Sequence, residues 1–174
     1  MLGSKTLISD RLILRKINQS DAKEIYEGFV NQKEFLYWAN KKPRTLQQQI
    51  DSLKGIEEKY LRNDYFNWII TLKENGKIIG SINACEYEIQ DSVLINYAID
   101  NRYINNGYMS EALKIVLDYL LNEVKISSVY CGCCIENIAS KKVMEKYMQY
   151  VSTIKNHVTL VDGLHDMYLF KLSK

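Results

Sequence analysis

Ile99-Asp100-Asn101-Arg102-Tyr103-Ile104-Asn105-Asn106-Gly107-Tyr108-Met109-Ser110-Glu111-Ala112 carries the strongest fold signal in the chain. It comes after an apolar run, residues 93–99, that reads as a strand. Helical spacing begins at Ala112 and continues through Ile115, Val116, Tyr119 and Leu120. Between the two lies a turn in which Asn105, Asn106 and Gly107 all accept left-handed backbone angles at low cost. Such a turn aims successive N–H groups inward, and the helix after it adds unpaired N–H groups and a positive dipole end. The result is an anion site that needs no side-chain charge. Taken alone, the same residues also make an ordinary tight turn with Ser110 in the first turn of a helix.

Nearer the N-terminus, residues 7–15 read as a first strand around Leu12, Ile13 and Leu14. Asn18, Ser20 and Asp21 offer helix-start chemistry, and Ala22, Ile25, Tyr26 and Phe29 form one apolar stripe. After Pro43, Thr45 can cap a second helix carrying Ile50, Leu53, Ile56 and Tyr60. Residues 68–72 and 78–84 are strands flanking Asn75-Gly76, a strong hairpin signal. Beyond the turn and its helix come a strand at 129–134, a helix at 139–147 and strands around 151–158 and 167–172. The order is βααβββαβαββ. Strand-helix-strand alternation in the second half implies at least one parallel pair inside a mixed α/β sheet.

A chain of 174 residues, 47% hydrophobic and 25% charged, can bury a sizeable core and reads as one domain, 1–174. With 23 basic and 21 acidic residues the net charge is +2, which gives no field for nucleic acid or an anionic membrane. The first ten residues lack the apolar core of a signal peptide, so a cytoplasmic address is expected. Cys131, Cys133 and Cys134 crowd together with Cys85 upstream, without the paired spacing of a structural zinc site. Strand alternation would put Cys131 and Cys133 on one face and Cys134 on the other. No metal and no disulfide framework are expected.

Arg102-x-x-Asn105-x-Gly107 resembles the Arg/Gln-x-x-Gly-x-Gly/Ala signature of the GNAT superfamily of acetyltransferases. The continuation Gly107-Tyr108-Met109-Ser110-Glu111-Ala112-Leu113 is similar to the ribosomal-protein N-acetyltransferase (RimJ/RimL-like) branch, a bacterial type. Asp10-Arg11-Leu12-Ile13-Leu14-Arg15 resembles that branch's opening strand. Asn137-Ile138-Ala139-Ser140-Lys141-Lys142-Val143-Met144-Glu145-Lys146 resembles its later helix, and Asp166-Met167-Tyr168 sits where its last strand begins. Two departures stand out: Asn105 replaces the first glycine, and Met148-Gln149 stands where the helix normally ends in Gly-Phe or Gly-Met.

The resemblance implies a twisted, mostly antiparallel sheet with one splayed parallel pair, and acetyl-coenzyme A as cofactor. It implies that Tyr97, Ala98 and Ile99 meet the pantetheine arm through their backbones. Arg102 and the N–H groups of Asn105, Asn106, Gly107, Tyr108, Met109 and Ser110 would hold the pyrophosphate. The reaction is direct attack of an amine on the thioester. Many superfamily members carry a tyrosine donor on the later helix, at the position of Met144 here. In the RimL-like branch a serine one turn earlier is the proposed acid, which is Ser140 here. Its hydroxyl is otherwise expected to bond back to the Glu136 carbonyl. Asn137 is the expected helix cap, with a contact to the cofactor arm implied. Tyr147 is a second donor candidate. Glu86 is the first candidate base, with Glu136 and a water relay behind it. His157 and His165 read as structural or surface histidines.

The resemblance implies a primary amine as acceptor, either a protein N-terminus or a small molecule, and a monomer or homodimer is expected. Substrate choice is expected in the two early helices and residues 35–44, where Phe35, Tyr37 and Trp38 offer an aromatic wall. A non-catalytic acyl-CoA-binding module is the alternative, motivated by Met144 and Met148-Gln149. A Rossmann nucleotide fold would want a Gly-rich turn after the first strand, and residues 14–21 hold no glycine.

Overall fold

A computed structural model describes residues 3–62 and 64–174. Among the described residues, eight strands form one sheet in the order β1-β2-β3-β4-β5-β6-β8-β7. They are β1 (Leu7–Ile8), β2 (Leu12–Arg15), β3 (Phe66–Leu72), β4 (Ile78–Glu86), β5 (Ser92–Ile99), β6 (Ser128–Cys134), β7 (Gln149–Leu160) and β8 (Gly163–Ser173). Every neighbouring pair is antiparallel except β5 and β6. The helices are α1 (Ala22–Glu27), α2 (Lys33–Trp38), α3 (Leu46–Ser52), α4 (Ile56–Lys59), α5 (Tyr108–Asp118) and α6 (Ile138–Met144).

The expected order holds with three corrections. The single first strand is a hairpin, because Ser9 N–H bonds Leu12 O and folds β1 back onto β2. The two early helices are three short ones, α1, α3 and α4. Gly28 stops α1, and Gly55, at φ 70°, breaks the second expected helix into α3 and α4. The helix α2, absent from the expectation, fills the segment before Pro43. The later helix ends at Met144 rather than Tyr147, and both closing strands run longer than expected.

Several local expectations hold. Thr45 Oγ1 accepts from Gln48 N–H at the start of α3. Asn75-Gly76 turns β3 into β4 with only Gly76 at positive φ, 71°, while Asn75 Oδ1 accepts from Lys77 N–H. Beyond α5 the helix widens into a π-type turn, Tyr119–Val124, and stops at Lys125 with φ 70°.

Alternation on β3 builds the two faces. Trp68, Ile70 and Leu72 point into the larger core with Ala112, Leu113, Val116 and Leu117 of α5. Ile69, on the other face, packs with Ile25 of α1, Leu53 and Ile56. Thus α5 and α6 cover one face and α1, α3 and α4 the other. No helix among the described residues is long and apolar enough to cross a membrane.

Gly80 on β4 has β5 backbone directly over its Cα. A Cβ there would lie 2.4 Å from Ala98 O and 3.1 Å from Ile99 Cα, both backbone atoms. Gly80→Ala is expected to cost about 1–3 kcal/mol by overpacking. Urea unfolding checks it, with a lower midpoint at an unchanged slope.

Candidate active site

The parallel pairing of β5 with β6 is short. It runs from Ser92↔Ser128 to Ile95↔Cys131 and stops. On its other edge β5 stays paired to β4 as far as Gly80↔Ile99, and β6 stays paired to β8 as far as Cys134↔Met167. The second half of β5, Asn96, Tyr97, Ala98 and Ile99, therefore offers an open edge towards a gap. At the apex the buried Cys131 thiol donates to Ile95 O at 3.3 Å.

β5 leads directly into the turn. Asp100 is fully buried and accepts from Arg102 N–H at 2.9 Å, capping a short 3-10 turn, Asn101–Tyr103. It also accepts from Arg102 Nε and from Gln32 Nε2 at 2.9 Å. Burial alone would raise the Asp100 pKa, but the Arg102 and Gln32 bonds outweigh it and hold the carboxyl below the usual aspartate range. Asn105 has φ 61° and Gly107 φ 78°, the left-handed angles expected of them, while Asn106 stays at negative φ. The Asn105 side chain is exposed, and Asn106 Nδ2 donates to Ile104 O.

Gly107 carries no side chain to cap α5, whose first intrahelical bond is Glu111 N–H to Gly107 O. The N–H groups of Tyr108, Met109 and Ser110 thus sit at the positive end of an eleven-residue helix. Arg11 borders the same turn, donating to Asn106 O at 3.0 Å and lying 4.4 Å over the Tyr108 ring. It is braced by Glu111, which accepts from Arg11 Nε at 2.7 Å and from Ser9 Oγ at 2.7 Å. An open strand edge, a left-handed turn and an uncapped helix start suit an extended chain ending in a pyrophosphate.

On the far side of the gap, Asn137 Oδ1 accepts from Ser140 N–H at 3.0 Å and caps α6 as expected. The Ser140 hydroxyl does not turn back to Glu136. It meets the Tyr97 hydroxyl at 2.7 Å, and Tyr97 Oη also donates to Ser140 O at 3.1 Å. Burial pushes the Tyr97 phenol well above its ordinary pKa, helped by Cys131 and Cys133 beside it, so the proton stays on. Met144 is fully buried in the core, and Tyr147 packs against that core.

The remaining candidates are scattered. Glu86 is exposed at the end of β4, opposite Val93 and on the paired side of the apex. His157 is exposed on β7. Phe35 packs into the smaller core, whereas Tyr37 donates to Asp162 Oδ2 at 2.9 Å and stacks edge-on with Trp38. Two side chains at the site carry no local signal in the sequence. Arg11 sits in a motif that reads only as a strand, and a backbone role is already enough to account for Tyr97.

A sheet whose one parallel pair splays beside a left-handed turn is the arrangement that the resemblance implies for an acetyl-CoA-dependent acetyltransferase. The chain belongs to the GNAT acetyltransferase family: residues 11–147 match the Acetyltransferase (GNAT) domain. It is 26% identical over 141 residues to the uncharacterized N-acetyltransferase YoaA of Bacillus subtilis, covering 80% of each chain. An acetyltransferase (GNAT family) from Bacillus anthracis superposes with a TM-score of 0.84 at 21% identity, over 97% of this chain and 98% of that one. RimL, a ribosomal L7/L12 alpha-N-protein acetyltransferase in complex with coenzyme A, gives 0.84 at 18% identity with the same coverage. Both likenesses are of fold. The family uses acetyl-CoA, and membership favours acetyl transfer over acyl-CoA binding alone.

The brace at the turn has a pH signature. Burial raises the Glu111 pKa, but the Arg11 N–H, the Ser9 hydroxyl and the Arg11 guanidinium outweigh it and lower the pKa below the ordinary value. A depressed carboxyl stabilises the fold fully above the unfolded value of about 4.3, and that part is lost as pH falls through the folded value. Glu111→Gln should therefore flatten the acid limb of stability below about pH 4.3, measured by urea unfolding at a series of pH values.

Proposed function

We propose that this chain acetylates a primary amine by direct attack on the thioester of acetyl-CoA, with a protein N-terminal α-amine as the first acceptor class and small-molecule amines as the second. The observation that carries the reading is the end of the β5–β6 ladder at Ile95/Cys131, with the Ser140 and Tyr97 hydroxyls meeting across the gap beyond it. The RimL neighbour is described as an alpha-N-protein acetyltransferase, which supports the first class.

When bound, acetyl-CoA supplies an electrophilic thioester carbonyl. In this reading the open edge of Tyr97, Ala98 and Ile99 holds the pantetheine arm as a neighbouring strand would. The N–H groups of Asn105 to Ser110, with Arg102 and Arg11 at the rim, hold the pyrophosphate. Asn137 keeps Ser140 in place through the Ser140 N–H, and Tyr97 holds it through the Ser140 carbonyl. Ser140 relays a proton from solvent to the departing thiolate, giving its own and taking one from water in the same step, while the Tyr97 phenol, which keeps its proton, holds it in place.

The amine must be neutral to attack. An α-amino group, with a reference pKa of about 8, needs less help than a lysine at about 10.4. Glu86 is the first base in this reading, and because it stands exposed opposite Val93, on the paired side of the apex and outside the gap, it can take the amine proton only through a relay of waters. Glu136, in the β6–α6 connection, is the other acceptor for it.

Thiol release with peptides bearing a free N-terminus, N-blocked peptides bearing lysine, and small amines tests the reaction. Turnover is expected first with free N-termini, and coenzyme A binding without product across the whole panel would sink it. Ser140→Ala should lower kcat by about a hundredfold at saturating acetyl-CoA, the lower range for a positioned proton donor. Unchanged turnover removes Ser140 from the mechanism. Gly107→Ala places a side chain at φ 78° and should weaken coenzyme A binding about tenfold by calorimetry, the equivalent of roughly 1–2 kcal/mol of left-handed strain.

A further inference from the structure

A second cluster of side chains lies away from the turn, where β6, α2 and the β7–β8 hairpin meet. The β6–β8 ladder reaches Cys134↔Met167 and goes one step further, with Ile135 N–H bonding Asp166 O. That extension sets Glu136 opposite His165. Period-two alternation then puts Cys134, Glu136 and His165 on a single face. It is the face opposite Cys131 and Cys133, which point into the larger core.

Three chemically different ligand atoms converge there. The Cys134 sulfur, a Glu136 carboxylate oxygen and a His165 ring nitrogen all lie within 4.8 Å of one another. Cys134 is buried, the His165 side chain is 17% exposed and Glu136 is half-exposed, so the group opens outward through Glu136. His165 Nε2 lies 3.0 Å from Asp162 Oδ1, and Asp162 Oδ2 accepts from the Tyr37 hydroxyl at 2.9 Å.

That backing has a consequence for the ring. With Nε2–H donated to Asp162, His165 Nδ1 presents a lone pair to Glu136 Oε1 at 3.2 Å. Two acceptors facing each other need a cation between them, either a proton on the ring or a metal ion. A carboxylate behind a histidine whose other nitrogen faces a thiol and a second carboxylate is the arrangement that orients metal-binding histidines.

We propose that Cys134, Glu136 and His165 form a binding site for a thiophilic divalent cation of the zinc type, with Asp162 and Tyr37 orienting the histidine. A thiol and an imidazole select such a metal over magnesium or calcium. Tetrahedral zinc with bonds of about 2.0–2.3 Å spaces its ligand atoms about 3.3–3.8 Å apart, inside the 4.8 Å within which these three atoms already lie. On binding, the Cys134 proton, now donated to Glu136 Oε2, leaves to solvent as the sulfur–metal bond forms. Three protein ligands leave a fourth position for water or another ligand. The metal would tie the β6–α6 connection, next to Asn137, to β8 and through Asp162 to α2.

Cobalt(II), then zinc, titrated into the chelator-treated full chain tests this without reference to acetyl transfer. One equivalent of cobalt should bind with a thiolate-to-metal charge-transfer absorption that zinc abolishes. Cys134→Ser and His165→Gln should each remove that absorption while circular dichroism shows a folded chain, and Cys85→Ser should leave it intact. Asp162→Asn, which keeps all three ligands, should weaken binding about tenfold. A chain that binds no stoichiometric cobalt overturns the proposal, as does an absorption that survives in folded Cys134→Ser or His165→Gln.

Discussion

The site depends on a backbone hydrogen-bond ladder that is allowed to end early. β5 is tied to β4 through seven successive residue pairs, and β6 is tied to β8 through seven. Between them only four pairs form, from Ser92↔Ser128 to Ile95↔Cys131. Two strands each committed to an outer neighbour cannot track each other through the twist of the sheet indefinitely. When they part, main-chain donors and acceptors are left facing the gap, and buried groups of that kind need partners. The Cys131 thiol satisfies Ile95 O at the apex. Beyond it, the open edge suits a chain that pairs like a strand.

One buried carboxylate organises the loop after β5. Asp100 holds the first turn of that loop through Arg102 N–H, fixes the Arg102 guanidinium, and reaches across the other face to Gln32. Gln32 closes the circuit by accepting from Asn101 N–H. The segment before α2 is thereby locked to the loop that begins the left-handed turn. Arg11 and Glu111 do the same from the hairpin β1–β2, so the turn is clamped from two sides by residues distant in sequence. Such clamping matters because Asn105 and Gly107 hold left-handed angles that an unsupported loop would exchange for others.

The turn is legible in the sequence because its chemistry is local. Asn105 and Gly107 announce their angles, Thr45 and Asn137 announce their caps, and Asn75-Gly76 announces a hairpin. Periodicity makes the strands from 66 onward legible for the same reason. The early helices are less so, because Gly28 and Gly55 cut apolar stripes that continue past them. The first strand looks continuous because Leu7 and Ile8 stand only a few residues before Leu12, Ile13 and Leu14, although the buried positions change parity across the Ser9 to Arg11 turn. Contacts between distant residues are invisible: nothing local connects Asp100 with Gln32, or His165 with Glu136. The side-chain role of Tyr97 is hidden differently, since a tyrosine in a core strand already has a sufficient reason to be there.

A tyrosine donor on the later helix, as in many superfamily members, would fall at Met144, and Met144 is wholly buried. A phenol at that depth would need an acceptor inside the core, so the position serves packing here. Ser140 comes one turn earlier, and a serine hydroxyl reaches less far than a phenol. The structure compensates from the opposite wall of the gap. Tyr97 leaves β5 one residue beyond Asn96, on the face that carries α6, and its hydroxyl meets both the side chain and the carbonyl of Ser140. A phenol on the strand and a serine on the helix thus span the opening that a single helical tyrosine would otherwise cross. Because Tyr97 bonds the Ser140 carbonyl as well, the pair ties β5 to the start of α6 across the gap.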